Sequence, residues 1–501
     1  MCAKPVGDHA HQAGFLGKAG VIMHSWMART FFRVHERLLG RGTFSVLRQL
    51  EQSQWWPQER IRALQLERLQ GLVASAWEHC PYWRTLMGRH GIAPESIRSL
   101  EDVRRFPFLE KPAIRANREE MVWRGEGPRI RIARTTGSTN ASLEFYTSAS
   151  REAQISAARM RGHASVGIRP GDREMYFWAA PVELKAQSWL RHVRDALRND
   201  GFTNALELTP ELVPQHVQNW RLWRPQCIFG YVCSFVVLAR MAQHAGVDLT
   251  VLRDRGLRAI VTTSELLGED NRRLISEAFG VPVYDSYGLR EGGLVGHECS
   301  HQTMHTNDEQ LLLEVIAPRT LEPADGEGEL VLTYLGSRVM PIIRYRTGDM
   351  VTLGRERCPC GRSLGSLQMT GGRLNEFLVT GDGRWISGAV FMYVVKETPG
   401  ILQLQVRQEQ LGRLRVLLAR DKDFPPDGVE RVQAAIRRRI GGHDEIAIEM
   451  VEEIPPCASG KQRMVISEVS RQMMESRVFT PQQELGGGDG KQQSARSPAA
   501  P

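Results

Sequence analysis

"RTTGSTNASLEFYTS", residues 134–148, sets the first question about this chain. Thr and Ser crowd around Gly137, and an alternating segment follows. Two readings fit these residues. In a phosphate-binding turn, glycine's access to unusual dihedrals lets exposed N–H groups and hydroxyls ring an anion. In an ordinary hairpin loop, Ser and Thr are there for their local bonds to the backbone. The stretch is not a Walker loop, since no G-K-[ST] follows at the required spacing. The decision rests on the rest of the chain.

The 501 residues are enough for several domains, and the balance of 42% hydrophobic to 24% charged residues is that of a globular protein. Acidic residues (57) nearly offset basic ones (65), leaving a formal charge of +8. That excess suits anionic small molecules as well as nucleic acid, and no patch of interleaved basic and aromatic residues favours nucleic acid. No apolar run is long enough to span a bilayer, and the N-terminus lacks a signal-peptide core with a cleavage site. The chain therefore reads as cytoplasmic, with no membrane span. Its eight cysteines are mostly dispersed, unlike a secreted disulfide framework.

Residues 1–30 read as a loose leader. From 31 to 125 the pattern is helical, as in "ERIRALQLERLQGLVASAWEHC". From 129 to 372, short β-branched runs such as "EMYFWAAP", "CIFGYV", "RAIVTTSE" and "VPVYDSYG" alternate with helical segments, which predicts α/β layers with parallel pairing. "LLLEVI" and "GELVLTYL" predict a hairpin-like element. Residues 373–475 read as a smaller α+β unit, with strands at "LQLQVRQ" and "LRVLLAR" and a helix at "GVERVQAAIRRRIGG". The Gly/Ser/Gln/Pro-rich stretch 476–501 has a disordered composition.

Three further motifs follow the loop. "YDSYGLREGG" (284–293) places Glu291 just past a Tyr-Gly turn, where a carboxylate could hold Mg²⁺ against phosphate oxygens or simply favour a helix N-terminus. "MPIIRYRTGDM" (340–350) offers Asp349 as an acceptor for ribose hydroxyls, or as part of a β-turn. "IPPCASGKQRM" (454–464) brings Lys461 after Ser-Gly, as a point charge or as a surface lysine.

Taken in order, the hydroxyl-rich loop, Y-G-x-x-E, Y-R-T-G-D, G-R and a late S-G-K form a series that resembles the adenylate-forming superfamily of acyl-CoA synthetases, adenylation domains and luciferases. Within it the chain is similar to the phenylacetate–CoA ligase branch, and especially to the ligase-like proteins of polysaccharide clusters. "HCPYWRTLM", "SLEDVRRFPFLEKPAIRAN" and "CPCGR" carry that closer resemblance, which spans about residues 40–470. It implies a large multi-layer α/β N-terminal domain (31–372) and a small mobile α+β C-terminal lid (373–475). It also implies that Thr135, Thr136, Gly137, Ser138 and Thr139 wrap the ATP phosphates. Asn140-Ala141-Ser142 departs from the family's usual continuation, which removes a mobile lysine.

By the same resemblance Tyr287, followed by Gly288, packs on adenine, with Ser264 and Glu265 beside that pocket. Glu291 is the Mg²⁺ carboxylate, Asp349 the ribose clamp and Arg373 the arginine near ribose and phosphate. Asn375 falls at the hinge, and Lys461 stabilises the adenylating transition state. Trp178, Tyr231 and Phe235 are candidates for the acid pocket or for the core.

A second site is suggested by "HECSHQTMH" and "CPCG". Cys299, His305, Cys358 and Cys360 would make a closed Cys₃His zinc site, with His297 and His301 as alternative ligands. The resemblance adds that some members of the branch carry such a structural zinc.

The expected activity is ATP-dependent adenylation of a carboxylic acid followed by transfer to CoA, with ATP, Mg²⁺ and CoA as ligands and an aryl or arylacetic acid as the implied substrate class. One rival is transfer to a hydroxyl, amine or carrier protein in polysaccharide or secondary-metabolite assembly. A rival of another class is a nonenzymatic nucleotide-binding or scaffold homologue. A homodimer is left open.

Overall fold

The computed structural model describes residues 23–127, 129–134, 143–178, 189–317, 320–354, 357–371, 377–455 and 463–476. Its centre is an eleven-stranded mixed sheet. A separate antiparallel hairpin, β1 (Arg131–Arg134) with β2 (Glu144–Thr147), precedes it. One half of the large sheet is parallel: β3 (Glu174–Trp178), β4 (Asp200–Asn204), β6 (Cys227–Tyr231), β7 (Ala259–Thr263) and β8 (Val283–Leu289), in the order β4-β3-β6-β7-β8. β5 (Glu207–Leu208) lies outside it. The chain then reverses into the antiparallel half: β9 (Gly293–Glu298), β10 (Met304–Thr306), β11 (Leu311–Ile316), β12 (Gly328–Tyr334), β13 (Tyr345–Gly354) and β14 (Ser366–Gly371).

The expected alternation is present. Helices Val232–His244 and Glu269–Phe279 separate β6, β7 and β8, and "LLLEVI" and "GELVLTYL" pair antiparallel as β11 and β12. β7 is buried at every position, the pattern of a parallel strand covered on both faces.

The two largest of four apolar clusters among the described residues carry most of the packing. Helices Gln58–His79 and Pro81–Arg89 cover the antiparallel half through Leu69, Leu72, Trp83 and Met87 against Leu332, Ile343 and Tyr345. The other cluster joins the parallel half and its helices to the C-terminal region. Trp83 and Trp220 are fully buried, and each indole N–H keeps an acceptor: the Pro341 carbonyl at 3.2 Å and Thr203 Oγ1 at 2.8 Å. Burying an indole of this kind contributes on the order of 4 kcal/mol.

The C-terminal region is a four-stranded sheet of order β19-β18-β17-β20, from β17 (Ile401–Gln410), β18 (Arg413–Arg420), β19 (Glu445–Met450) and β20 (Val465–Ser467), with helix Gly428–Ile440. A hairpin of β15 (Phe377–Val379) and β16 (Trp385–Ser387) precedes it. β16 pairs with β5, so that Trp385 faces Leu208 and Ile386 faces Glu207. Among the described residues the first helix runs from Ser25 to Leu38, so it begins within the stretch 1–30 read as a leader and extends beyond it.

Candidate active site and metal centre

The parallel strands direct their carboxyl ends to one edge of the sheet, where open α/β sheets bind ligands. β7 ends at Thr263, whose Oγ1 donates to the Ser286 carbonyl of β8 at 2.8 Å. Ser264 follows in the left-handed region at φ 71°, an uncommon conformation for a residue with a side chain. Glu265 is buried, and its carboxylate accepts the Cys233 N–H (2.7 Å) and the Cys233 thiol (3.0 Å) at the start of helix Val232–His244. It thus satisfies a helix N-terminus from a neighbouring strand end. The resemblance sets Glu265 beside the adenine pocket, and in the structure its carboxylate bonds Cys233 at this helix start.

β8 continues to Tyr287 and Gly288, and a turn then carries Glu291 into β9. Opposite stands β13. Its register with β12 passes from Arg346 opposite Val331 to Met350 opposite Glu329, so four steps on β13 answer two on β12. Thr347-Gly348-Asp349 thus stand against Leu330 alone and bulge out. Gly348 takes φ 72°, which a side chain would disfavour, and the Asp349 N–H donates to Thr347 Oγ1 at 3.0 Å. The bulge turns Asp349 towards Tyr287, whose hydroxyl donates to Asp349 Oδ2 at 2.7 Å. One strand position earlier than the bulge's Arg346, Tyr345 donates its hydroxyl to Glu291 Oε1 at 2.9 Å. Burial pushes the Tyr287 phenol up, so it stays a neutral donor.

Glu291 is also held from behind. Arg151, 1% exposed, sits in the first turn of helix Ala149–Ser165, which Ser148 caps through the Arg151 N–H. Its guanidinium donates to the Arg290 carbonyl at 3.1 Å and to the Glu291 carbonyl, and it lies 4.4 Å from the centroid of the Tyr334 ring. This helix directly follows β2, the strand after the hydroxyl-rich loop.

Ser264, Tyr287, Gly288, Glu291 and Asp349 are therefore brought to one corner. Thr135, Thr136, Gly137, Ser138, Thr139, Arg373, Asn375 and Lys461 lie outside the described residues. Sequence reasoning missed Tyr345 and Arg151; the only signal for Tyr345 was its place in the quoted R-Y-R-T-G-D. Of the acid-pocket candidates, Trp178 and Tyr231 pack on each other at the carboxyl ends of β3 and β6, with ring centroids 4.5 Å apart. Phe235 belongs to the core, fully buried against Phe177 and Phe279.

The second cluster lies at the far end of β9. Cys299, His305, Cys358 and Cys360 place their ligand atoms within 4.8 Å of one another. Cys299 Sγ and Cys358 Sγ are 3.7 Å apart, and His305 Nε2 is 3.1 Å from Cys360 Sγ. Gly361, at φ 81°, closes the Cys-Pro-Cys-Gly turn by donating its N–H to the Cys358 carbonyl at 3.0 Å. The alternative ligands stand apart. His301 is exposed. The His297 imidazole bonds the Glu298 carbonyl at 2.7 Å and packs on His163, and burial pulls its pKa down to about 3.

With this geometry in place, comparison with known proteins identifies the chain's relatives. Over 342 residues it is 31% identical to phenylacetate–coenzyme A ligase of Thermus thermophilus, covering 64% of this chain and 72% of that enzyme. The chain belongs to the phenylacetate–coenzyme A ligase family. A second member of that family, from Pseudomonas putida, is 24% identical over 83% of this chain and 88% of its own length. Protein CapK of Staphylococcus aureus is 20% identical over 81% of this chain and 89% of its length. Residues 378–468 match the CapK C-terminal domain. Among solved structures, 2-hydroxyisobutyryl-CoA ligase in complex with 2-HIB-AMP and CoA superimposes with a TM-score of 0.56 at 20% identity, covering 84% of this chain and 93% of that one. The fold of this family member is thus that of the adenylate-forming ligases, with their C-terminal domain. No helix among the described residues is long and apolar enough to cross a membrane.

Proposed function

We propose that the protein couples ATP to the activation of a small carboxylic acid and passes the acyl group to the thiol of CoA. The observation that carries this reading is the corner where Tyr287 meets Asp349 and Tyr345 meets Glu291, at the carboxyl ends of the parallel strands of a phenylacetate–CoA ligase relative. In the first step a carboxylate oxygen attacks the α-phosphorus of ATP. The bond to the β-phosphate oxygen breaks, and pyrophosphate leaves. In the second step the CoA thiolate attacks the acyl carbon and AMP departs.

The protein's part is to position the reactants and to stabilise charge. Asp349 accepts the ribose hydroxyls when Tyr287 yields them its place, and Tyr287 lies against the base. Glu291, aimed by Tyr345 and Arg151, is the carboxylate that would hold Mg²⁺, and the ion would neutralise phosphate oxygens. Thr135, Thr136, Gly137, Ser138 and Thr139 would ring the phosphates, with Arg373 and Lys461 meeting the nucleotide. The division into domains at 372/373, with a hinge near Asn375, belongs to the same proposal, as does a cytoplasmic location.

The four donors Cys299, His305, Cys358 and Cys360 suit Zn²⁺. In a tetrahedral site with bonds of about 2.3 Å, two sulfurs stand roughly 3.8 Å apart, and Cys299 and Cys358 stand at 3.7 Å. Such a closed set would pin β9 and β10 to the 358–361 turn and take no part in the chemistry.

A second acceptor reading has one observation in its favour. The C-terminal part matches the CapK C-terminal domain, which keeps a hydroxyl, amine or carrier protein in view as acceptor.

The test is pyrophosphate release from ATP and Mg²⁺ across aryl, arylacetic, fatty and hydroxy acids, with and without CoA, for wild type and Lys461→Ala. The expected loss in adenylation is on the order of 10²–10³-fold, while a supplied acyl-adenylate still reacts with CoA. Pyrophosphate release that ignores both the acid and the lysine would overturn the reading. CoA consumption separates the two acceptors.

A further inference from the structure

Helix Ser25–Leu38 has two unlike faces. Ala28, Phe32 and Glu36 are buried against the body, and Gly171 lies so close that a Cβ there would meet the Ser25 carbonyl. The outward face carries two neighbouring rows at i, i+4 spacing, offset by three residues and hence side by side. One row is Arg29, Arg33 and Arg37, all exposed. The other is Trp26, Thr30, Val34 and Leu38, with Trp26 68%, Val34 52% and Leu38 75% exposed. Met27 widens the apolar row, and the helix Trp189–Arg198, packed alongside, adds exposed Val193. The helix has a single acid, Glu36, and it is buried. In the sequence no Asp or Glu occurs from His9 to His35.

We propose that this face docks the protein reversibly on an anionic phospholipid surface. The pairing of the two rows argues for that occupant. An arginine row matches headgroup phosphates through charged, forked hydrogen bonds. The adjoining Trp, Met, Val and Leu suit the boundary between headgroups and acyl chains, where an indole is at home. Other occupants fit less well. A second copy would set the arginine row beside its own image. Residues 1–22 carry Lys4 and Lys18 but only one acid, Asp8, too little to neutralise three arginines. A nucleic acid would supply phosphates and leave Val34 and Leu38 in water. The helix packs one face on the protein and is charged on the other, so it would lie on the membrane and not span it.

The experiment is sedimentation of the full chain with vesicles of phosphatidylcholine, with and without phosphatidylglycerol, at low and high salt. Wild type is expected to bind only the anionic vesicles and to be released by salt. Replacing Arg29, Arg33 and Arg37 together by Gln should weaken binding by on the order of a hundredfold. The pair Val34→Ser and Leu38→Ser should weaken it by about tenfold. Both variants should keep wild-type melting temperature and pyrophosphate release without vesicles, so that a folding defect is separated from lost docking. Three results would overturn the proposal: no binding by wild type, binding to neutral vesicles alike, or undiminished binding by the triple-Gln variant. Light scattering in which wild type is a dimer and the variant a monomer would reassign the face to self-association.

Discussion

Glu291 and Cys299 stand at the two ends of one short strand, β9, and the two ends are built on opposite terms. At the first, each carboxylate meets a phenol: Glu291 with Tyr345 and Asp349 with Tyr287. A neutral hydroxyl holds a carboxylate in place, yet it is cheaper to displace than a buried guanidinium, whose removal would strand a charge. At the second end, three sulfurs and an imidazole converge on one another. Around a zinc ion, four such donors would complete a tetrahedron and leave no position for substrate. On the proposed function, the first arrangement would exchange partners during a reaction cycle, and the second, once it held a metal, would keep the strand in register.

The sharpest way to break this contrast is Glu291→Gln. An amide keeps the shape and can still meet Tyr345, but it loses the charge. Acid-dependent pyrophosphate release should fall by on the order of a hundredfold, with a raised Mg²⁺ requirement and little change in melting temperature. A protein that melts much lower while keeping its activity per folded molecule would make Glu291 structural.

Replacing Cys358 and Cys360 together by Ser should do the reverse. Elemental analysis should show the loss of bound zinc, and the melting temperature should drop by about 5 °C or more. Turnover per folded molecule should change far less than in Glu291→Gln. Unchanged metal content would remove the zinc proposal.

The smallest effect concerns Asp285 on β8, whose N–H donates to Glu298 Oε2 at 2.8 Å near the cysteine end of β9. Its carboxyl accepts from Thr262 Oγ1 at 2.8 Å, and burial, with Glu298 close by, pushes its pKa up to about 7. A carboxyl raised in the folded protein stabilises it fully below its ordinary value of 3.8, and that contribution is lost as pH rises through about 7. Asp285→Asn should therefore flatten the stability curve and gain on wild type by at least about 1 kcal/mol between pH 5 and pH 9. Denaturant titration at both pH values checks this; parallel curves would mean that Asp285 stays ionised throughout.

How much of this was legible follows from the kind of signal each part leaves. Long helices and buried strands declared themselves through periodicity and β-branched runs, as in "ERIRALQLERLQGLVASAWEHC" and "RAIVTTSE". The short strands β9 and β10 did not, because "GLVGHE" and "MHT" mix Gly, His and Thr without a clean alternation. The Cys/His set was readable as ligand types, but choosing His305 over His297 needed the folded side chains: the two stand opposite each other on β10 and β9, yet the His297 ring bonds the Glu298 carbonyl while His305 meets Cys360. Asp349 was readable from T-G-D, whereas its aim depends on a register shift that no single strand records. Arg151 and Glu265 act through carbonyls and a helix start that are distant in sequence, and nothing local marks such partners.

One feature of the fold bears on movement. The hairpin β15–β16 is fastened on both sides. Two residue pairs join it to β5, with Ser387 N–H on the Leu206 carbonyl at 2.9 Å and Arg384 on Glu207 at 3.2 Å. On its other side the buried Gln408 of β17 accepts the Val379 N–H at 2.9 Å. A pivot near Asn375 that swings everything beyond it would have to unzip the seam at β5. A pivot beyond Ser387 would leave the seam shut and tear the Gln408 link instead. In the proposed rotation the hairpin would be a clasp with two catches, and whichever gave way first would decide how much of the C-terminal region travels.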